Sequence, residues 1–189
     1  MKLLGIDPGT ADHNGWSIYE TQTQIFDTVS ATDAFVLLKD IHTWYDDDAI
    51  EGVVLEDPNL DSSVFNGQKY YKVMLAKTNH HAALAAVLKM GQGVGMNKGL
   101  ARLFHNKIID WKIPFIRIAP SKRRRITNKS INGKALRTVL MPTKITSKQF
   151  KEMTGYTGMT NEHGRDSACM LYQMTENKFN ILSQLEVKE

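Results

Sequence analysis

The order of strand-like and helix-like segments is the feature of the 189-residue chain that most limits its fold. Five segments have the apolar pattern of strands, at residues 3–6, 15–20, 24–29, 53–55 and 115–119. Helices are predicted at residues 35–44, 79–90, 100–111, about 148–153 and about 161–175. The first three strands follow one another directly, which favours antiparallel pairing, and the later strands alternate with helices. We therefore predict an α/β fold with a mixed five-stranded sheet flanked by helices.

Composition indicates one globular domain spanning residues 1–189. Apolar residues make up 42% and charged residues 23% of the chain, which are ordinary values for a globular protein with a sizeable core. Cys169 is the only cysteine, so no disulfide forms within the chain, and its apolar neighbours predict a core position. No apolar stretch reaches the roughly 18 residues of a membrane span. We expect a cytoplasmic protein with no membrane partner.

Three acidic residues stand where apolar segments begin or end. Asp7 ends the first strand-like run, Glu56 ends the fourth, and Asp166 begins the apolar part of the last helix. Taken singly, these would be a turn residue, a solvent-facing strand end and a favourable charge at a helix start. Carboxylates at the edges of buried elements are costly unless they are paired or hold a metal ion. Together they predict one acidic pocket that binds divalent cations.

Basic residues are concentrated in one long segment. Residues 121–151 contain no Asp or Glu and ten basic residues, which are Lys122, Arg123, Arg124, Arg125, Lys129, Lys134, Arg137, Lys144, Lys148 and Lys151. An isolated run of this kind is often a solvated face or a loop. Beside an acidic pocket, it favours a protein that holds a polyanion over metal ions.

Three short motifs follow one another along the chain: Gly5-Ile6-Asp7-Pro8-Gly9-Thr10, Val54-Leu55-Glu56 and His163-Gly164-Arg165-Asp166-Ser167-Ala168. They resemble the motifs of RuvC-like Holliday junction resolvases, which are nucleases of the ribonuclease H superfamily. The chain length and the basic segment before the last motif also fit this family, including a phage-encoded member. The resemblance implies a ribonuclease H-like fold and a metal-dependent endonuclease that resolves four-way DNA junctions by paired phosphodiester hydrolysis. It implies a location in the bacterial cytoplasm, or in the host cytoplasm for a phage protein.

The resemblance assigns the catalytic and metal-binding residues one by one. Asp7, Glu56 and Asp166 match the carboxylates of the family, and His163 matches the histidine of some members. Two Mg²⁺ ions about 4 Å apart are implied, for which Mn²⁺ would substitute. Asp7 would bridge both ions, and Glu56 would hold the ion on the leaving-group side. Asp166 and His163 would hold the ion that carries the attacking water, or His163 would instead move a proton.

Candidate DNA contacts lie in the region that follows Glu56 and among the basic residues between positions 98 and 137. Region 59–72 interleaves aromatic and basic residues, and the corresponding region approaches the junction in related resolvases. Aromatic residues there would stack on unpaired bases, although the two tyrosines would alternatively pack on the next helix. The residues assigned to DNA are Phe65, Lys69, Tyr70, Tyr71, Lys98, Arg102, Lys122, Arg123, Arg124, Arg125, Lys129, Lys134 and Arg137.

Other polar and glycine residues receive weaker assignments. Asp57 adjoins Glu56 and Glu162 adjoins His163, and both acids rank second, as outer metal ligands or substitutes. His13 is predicted to lie at the surface. Four glycines between residues 91 and 99 predict a segment between two helices whose backbone closely approaches another surface. No Gly-Lys-Ser/Thr follows them, so we expect no nucleotide cofactor.

Symmetric cleavage of a two-fold junction implies a homodimer with two active sites. The predicted helix at residues 100–111 has apolar residues for both the core and a partner. Two alternatives remain open: a ribonuclease H-like nuclease acting on other branched DNA or RNA:DNA hybrids, and a non-catalytic scaffold that binds branched DNA. An actin-like ATPase shares an Asp and Gly-Thr after its first strand, but the chain is too short for its two lobes.

Overall fold

The computed structural model describes residues 1–10, 12–61, 66–120, 125–128, 137–140 and 145–176. Its strands are β1 (Lys2–Thr10), β2 (His13–Glu20), β3 (Ile25–Thr32), β4 (Gly52–Glu56), β5 (Phe115–Ile118), β6 (Arg125–Asn128) and β7 (Arg137–Leu140). Its α-helices are α1 (Ala34–Asp46), α2 (Gly67–Leu75), α3 (His80–Asp110), α4 (Ser147–Thr154) and α5 (Glu162–Glu176). A 3₁₀ turn at Pro58–Leu60 follows β4. Within the described residues, no helix is long and apolar enough to cross a membrane.

The main sheet has five strands in the order β3-β2-β1-β4-β5, and this confirms the predicted mixed sheet. β1 pairs with β2, and β2 with β3, in antiparallel register, because only short turns connect them. β1 pairs with β4, and β4 with β5, in parallel register. Helices cross over between these strands, as parallel pairing requires. The carboxyl ends of β1, β4 and β5 therefore lie at one edge of the sheet.

Each face of the sheet has its own hydrophobic core, because successive strand residues point to opposite sides. Leu4, Ile6, Val53 and Leu55 pack with buried residues of α1 and α3 on one face. Leu3 and Val54 pack with α4 and α5 on the other. A fully buried aliphatic side chain of this kind contributes about 1.5–3 kcal/mol to stability. The two cores fix both sets of helices against the strands that carry the motif carboxylates.

The first helix begins and ends where the sequence predicts. The carboxylate of Asp33 accepts hydrogen bonds from the backbone N–H groups of Phe35 and Val36, at 2.8 and 3.2 Å, and so caps the helix. The helix ends at Asp46, at the start of the run of three aspartates. α1 then leads directly toward β4.

The predicted interruption at residues 91–99 is wrong. α3 is one continuous helix of 31 residues, His80–Asp110, that passes through all four glycines. Among the described residues, a Cβ atom at Gly93, Gly95 or Gly99 would meet open space, so these glycines serve no close backbone approach to that part of the chain. Interior glycines cost a helix about 1 kcal/mol each, and here tertiary packing of α3 outweighs that cost. α2, β6 and β7 were not predicted.

Candidate active site

Asp7 and Glu56 emerge side by side from two neighbouring parallel strands. Ile6 of β1 pairs with Leu55 of β4, and each carboxylate residue comes next along its strand. Adjacent strands lie about 4.8 Å apart, so the two side chains leave the sheet close together. They lie on the face that α5 covers, because Val54 packs with that helix and a side chain at Gly5 would meet Ser167 and Leu171 of it. Glu56 is 8% exposed and Asp7 is half-buried.

The first turn of α5 lies over β2, beside the end of β1. Ser167 of α5 shares a buried hydrogen bond of 3.0 Å with Ser17 of β2, so this part of the helix is fixed to the sheet. One turn earlier, the carbonyl group of His163 occupies the space that a side chain at Gly15 would need. Gly15 pairs with Asp7 across the two strands. The main chain of His163 therefore lies against the cross-strand partner of Asp7.

Asp166 is half-buried and lies three residues after His163, on the same helix face. The side-chain oxygen of Asn161 accepts a 2.7 Å hydrogen bond from the N–H of Gly164 and caps the helix. Arg165 donates from Nε to the carbonyl oxygen of Ile145 at 2.9 Å, which fixes the helix start to the segment before α4. The third motif thus contains its own anchoring residue beside the carboxylate.

The donor set fits a hard divalent cation. Within the parts of the chain that the structure describes, no three His, Cys, Asp or Glu side chains form a group that could by itself hold a metal ion. Mg²⁺ does not need such a cage, because it usually binds one or two carboxylates and completes its shell with water and substrate phosphates. Asp7 and Glu56, adjacent at the sheet edge, provide oxygen ligands of that kind.

Comparison with known proteins identifies the fold. No protein-family model and no curated protein sequence matches the chain. The structure of Thermus thermophilus RuvC in complex with a Holliday junction substrate aligns with a TM-score of 0.52 at 11% identity, over 100% of this chain and 99% of that one. The chain has the RuvC fold. A second structure of Thermus thermophilus RuvC aligns with a TM-score of 0.47 at 12% identity, over 100% of both chains. The alignment with the junction-bound RuvC structure and the five-stranded mixed sheet confirm the predicted ribonuclease H-like fold.

His13 is a candidate site residue in this RuvC fold that the sequence analysis placed at the surface. Its ring is exposed, but the ring centroid lies 5.6 Å from that of His163, with the planes tilted by 49°. Thr10 pairs with His13 in the hairpin of β1 and β2, which brings His13 back beside the β1 end. No sequence motif signals this contact, because it depends on how α5 packs on the hairpin.

Asp57 does not lie with the motif carboxylates in the RuvC fold. It is 2% exposed, and its Oδ2 accepts a 3.2 Å hydrogen bond from Nη1 of Arg117 in an ion pair. Its Oδ1 accepts from the backbone N–H and the side-chain Nδ2 of Asn59, both at 2.8 Å. Its second-rank assignment as a metal ligand is therefore replaced by a structural one. Glu162 lies exposed in the first turn of α5.

The residues assigned to DNA occupy several elements. Lys69, Tyr70 and Tyr71 lie on α2, and the hydroxyl of Tyr71 is 2.6 Å from Nδ1 of His80, so this tyrosine contacts the following helix. Lys98 and Arg102 lie within the continuous helix α3, well after its first turn. The other assigned residues in described segments are Arg125 on β6 and Arg137 on β7. Those outside the described residues are Phe65, Lys122, Arg123, Arg124, Lys129 and Lys134.

Proposed function

We propose that this protein is a metal-dependent endonuclease that resolves four-way DNA junctions by paired phosphodiester hydrolysis. The observation that carries the proposal is the parallel register of β1 and β4, which sets Asp7 beside Glu56. The start of α5 lies against Gly15, the cross-strand partner of Asp7. A nuclease of this class needs carboxylate oxygens held close together at an accessible edge. The likeness to the fold of a RuvC bound to a Holliday junction supports four-way junctions as the substrate.

Asp7, Glu56, Asp166 and His163 would together hold two Mg²⁺ ions, or Mn²⁺ in their place. Bound there, the ions would activate the attacking water and stabilise the leaving 3′ oxygen. Asp7, on the strand between β2 and β4, would be a ligand of this metal centre. His163, at the edge of the site, would orient the attacking water. The N–H groups at the start of α5 favour the negative charge of a substrate phosphate nearby.

The α2–α3 region and the basic segment at 121–151 would bind the DNA arms. Residues 66–109 contain seven Lys and Arg residues and no Asp or Glu, so both helices are electropositive. Lys69, Tyr70, Lys98 and Arg102 would contact this DNA beside the catalytic edge. Contacts to phosphates make binding strongly salt-dependent and carry no sequence information. We expect branched-DNA affinity to fall steeply as salt concentration rises.

We propose a homodimer that uses the N-terminal half of α3. Leu84 and Leu88 are 43% and 60% exposed, and Gly95 and Gly99 continue the same helix face without any side chain above them. A face of this kind allows a second α3 to approach closely. The segment at 100–111, which the sequence analysis assigned to both the core and a partner, packs into the core through Phe104 and Ile108. Two copies would place two active sites on one two-fold junction.

Cleavage of synthetic DNA tests the proposal. The purified protein is incubated with a four-way junction or a linear duplex of the same sequence, in Mg²⁺, in Mn²⁺ or with a chelator. We expect paired symmetric nicks in the junction alone, and none with Asp7→Asn or with chelator. Asp40→Asn is the matched control, because Asp40 is also half-buried but lies on α1.

Other outcomes identify the other candidates. Metal-dependent cutting of flaps or RNA:DNA hybrids, with the junction left intact, would support the proposed catalytic site but show that the substrate is not a four-way junction. Junction binding without cleavage in either metal would show a non-catalytic scaffold. A junction cut equally by wild type and Asp7→Asn would remove Asp7 from the mechanism.

A further inference from the structure

We propose that Asn97 and Asn59 are positioning residues that tie α3 to the strand ends carrying the catalytic carboxylates. This inference rests on the proposed function, because it assigns these amides a role at the site of Asp7 and Glu56. Two consecutive residues of α3, Asn97 and Lys98, make the connections. They link the helix that bears the proposed DNA and dimer surfaces to the two strands that would hold the metal.

The Asn97 connection reaches the end of β1. Its side-chain amide faces two carbonyl oxygens, so the nitrogen donates to both, to Gly9 of β1 and to Gly93 of α3 at 3.0 Å. Gly9 lies two residues after Asp7. The regular pairing of β1 with β2 breaks between Asp7 and Thr10, so the strand ladder does not hold this segment. The side-chain amide of Asn97 thus donates to the Gly9 carbonyl oxygen at a point where the β1–β2 pairing is interrupted.

Asn14 holds the same peptide segment from the opposite side. It is fully buried, and its Oδ1 accepts a 3.3 Å hydrogen bond from the N–H of Gly9. Its Nδ2 donates to the carbonyl oxygens of Thr10 and Thr32 at 3.0 and 3.4 Å. The residues after Asp7 are thus held between β2 and β3 on one side and α3 on the other.

The Asn59 connection reaches the end of β4. Nδ2 of Asn59 donates to the carbonyl oxygen of Lys98 at 3.1 Å and to the carboxylate of Asp57 at 2.8 Å. Asp57 follows Glu56 directly and is held by Arg117 of β5. One turn of α3 is therefore hydrogen-bonded to both strand ends. Residues that orient metal-binding groups in this way commonly change metal affinity or activity by about 10- to 100-fold when they are replaced.

Replacing Asn97 by leucine removes both donated hydrogen bonds at similar side-chain volume. Hydrogen exchange at residues 7–10 is measured on the metal-free protein, together with Mn²⁺ binding by calorimetry. We expect faster exchange at Gly9 and Thr10, and Mn²⁺ binding weakened by about 10-fold or more. Asn106→Leu is the matched control, since Asn106 is exposed on the same helix and should change neither quantity.

Asn59→Ala provides a second test that leaves α3 unaltered, in case Asn97→Leu does not fold. Asn59→Ala should also weaken Mn²⁺ binding. Asn97→Gln keeps an amide, so its Mn²⁺ affinity should lie between those of Asn97→Leu and the wild type. In cleavage assays, Asn59→Ala and Asn97→Leu should both need a higher metal concentration for half-maximal rate. The Kd of each variant for junction DNA, measured in chelator, should stay within about twofold of the wild-type value.

Unchanged exchange at residues 7–10 and unchanged Mn²⁺ binding in both folded variants would overturn the inference. Equal effects in Asn106→Leu would also overturn it, since they would reflect a general loss of helix stability. These readouts do not need turnover. A wild-type protein that binds Mn²⁺ but cuts no junction would therefore contradict the proposed function. The positioning role of Asn97 and Asn59 would still be decided by hydrogen exchange and Mn²⁺ binding.

Discussion

Gly15 of β2 lies directly against the main chain of His163 in α5, with no space for a side chain between them. Gly164, the next helix residue, also lies against the backbone of Ser30 in β3 without space for a side chain. Both contacts occur at the start of α5, where the third motif begins. Since Gly15 also pairs with Asp7, the two glycines determine how near the helix residues come to the first carboxylate.

Gly15→Ala should therefore lower both stability and cleavage. The new methyl group overlaps the His163 carbonyl, and relief of such overpacking costs about 1–3 kcal/mol. A shift of about 1 Å in the start of α5 would lower the cleavage rate by about 100-fold. Urea unfolding and single-turnover cleavage measure the two effects. Gly93→Ala is the control, since its Cβ meets open space and alanine should stabilise the helix by about 1 kcal/mol.

His13 should support cleavage through its ring contact with His163. His13→Ala removes that ring, and we expect the single-turnover rate to fall by up to about tenfold, which corresponds to an aromatic contact of about 1.4 kcal/mol. His13→Phe keeps a ring of similar size and should retain most of the rate. His42→Ala, on α1, should leave it unchanged. A loss as large in His13→Phe as in His13→Ala would instead indicate that the imidazole nitrogens act directly.

The ion pair of Asp57 and Arg117 should be a main determinant of stability at the edge of the sheet. Arg117→Met leaves the carboxylate of Asp57 buried without its cation, and we expect a loss of about 3 kcal/mol in the free energy of unfolding. This is the lower end of the usual range, because Asn59 still donates to the carboxylate. Asp57→Asn in the Arg117→Met background should recover part of the loss. Chemical denaturation of the wild type, Arg117→Met, Asp57→Asn and the double variant gives the coupling energy between the two residues.

The sequence predicted those parts of the site that depend on local patterns. Apolar runs placed Asp7 and Glu56 at strand ends, and the order of elements predicted a mixed sheet. The structure shows that their two strands are parallel neighbours within it. Their side-by-side arrangement then follows from register alone. The start of the last helix was also predicted to within one residue, because Asn161 is a good capping residue there.

Contacts between distant segments could not be predicted in this way. Arg117 is 60 residues from Asp57, and nothing in either neighbourhood marks the pair. His13 reaches His163 only through the packing of α5 on the β1–β2 hairpin. The continuity of α3 was missed for a different reason. Local glycine propensity predicts a break, whereas the packing of both ends of the helix maintains it.

Leu88→Glu should separate the proposed dimer into monomers. Leu88 is 60% exposed on the apolar face of α3, and a charge there would be buried without a partner at a dimer interface. Light scattering should give twice the 21.4 kDa chain mass for wild type and the single chain mass for the variant. Junction cleavage should change from paired to single, uncoupled nicks. Phe35→Glu, at a 72% exposed position on α1, should remain dimeric and cut in pairs. A wild type that is monomeric both alone and on the junction would contradict the dimer, and a Leu88→Glu protein that stays dimeric would place the interface elsewhere.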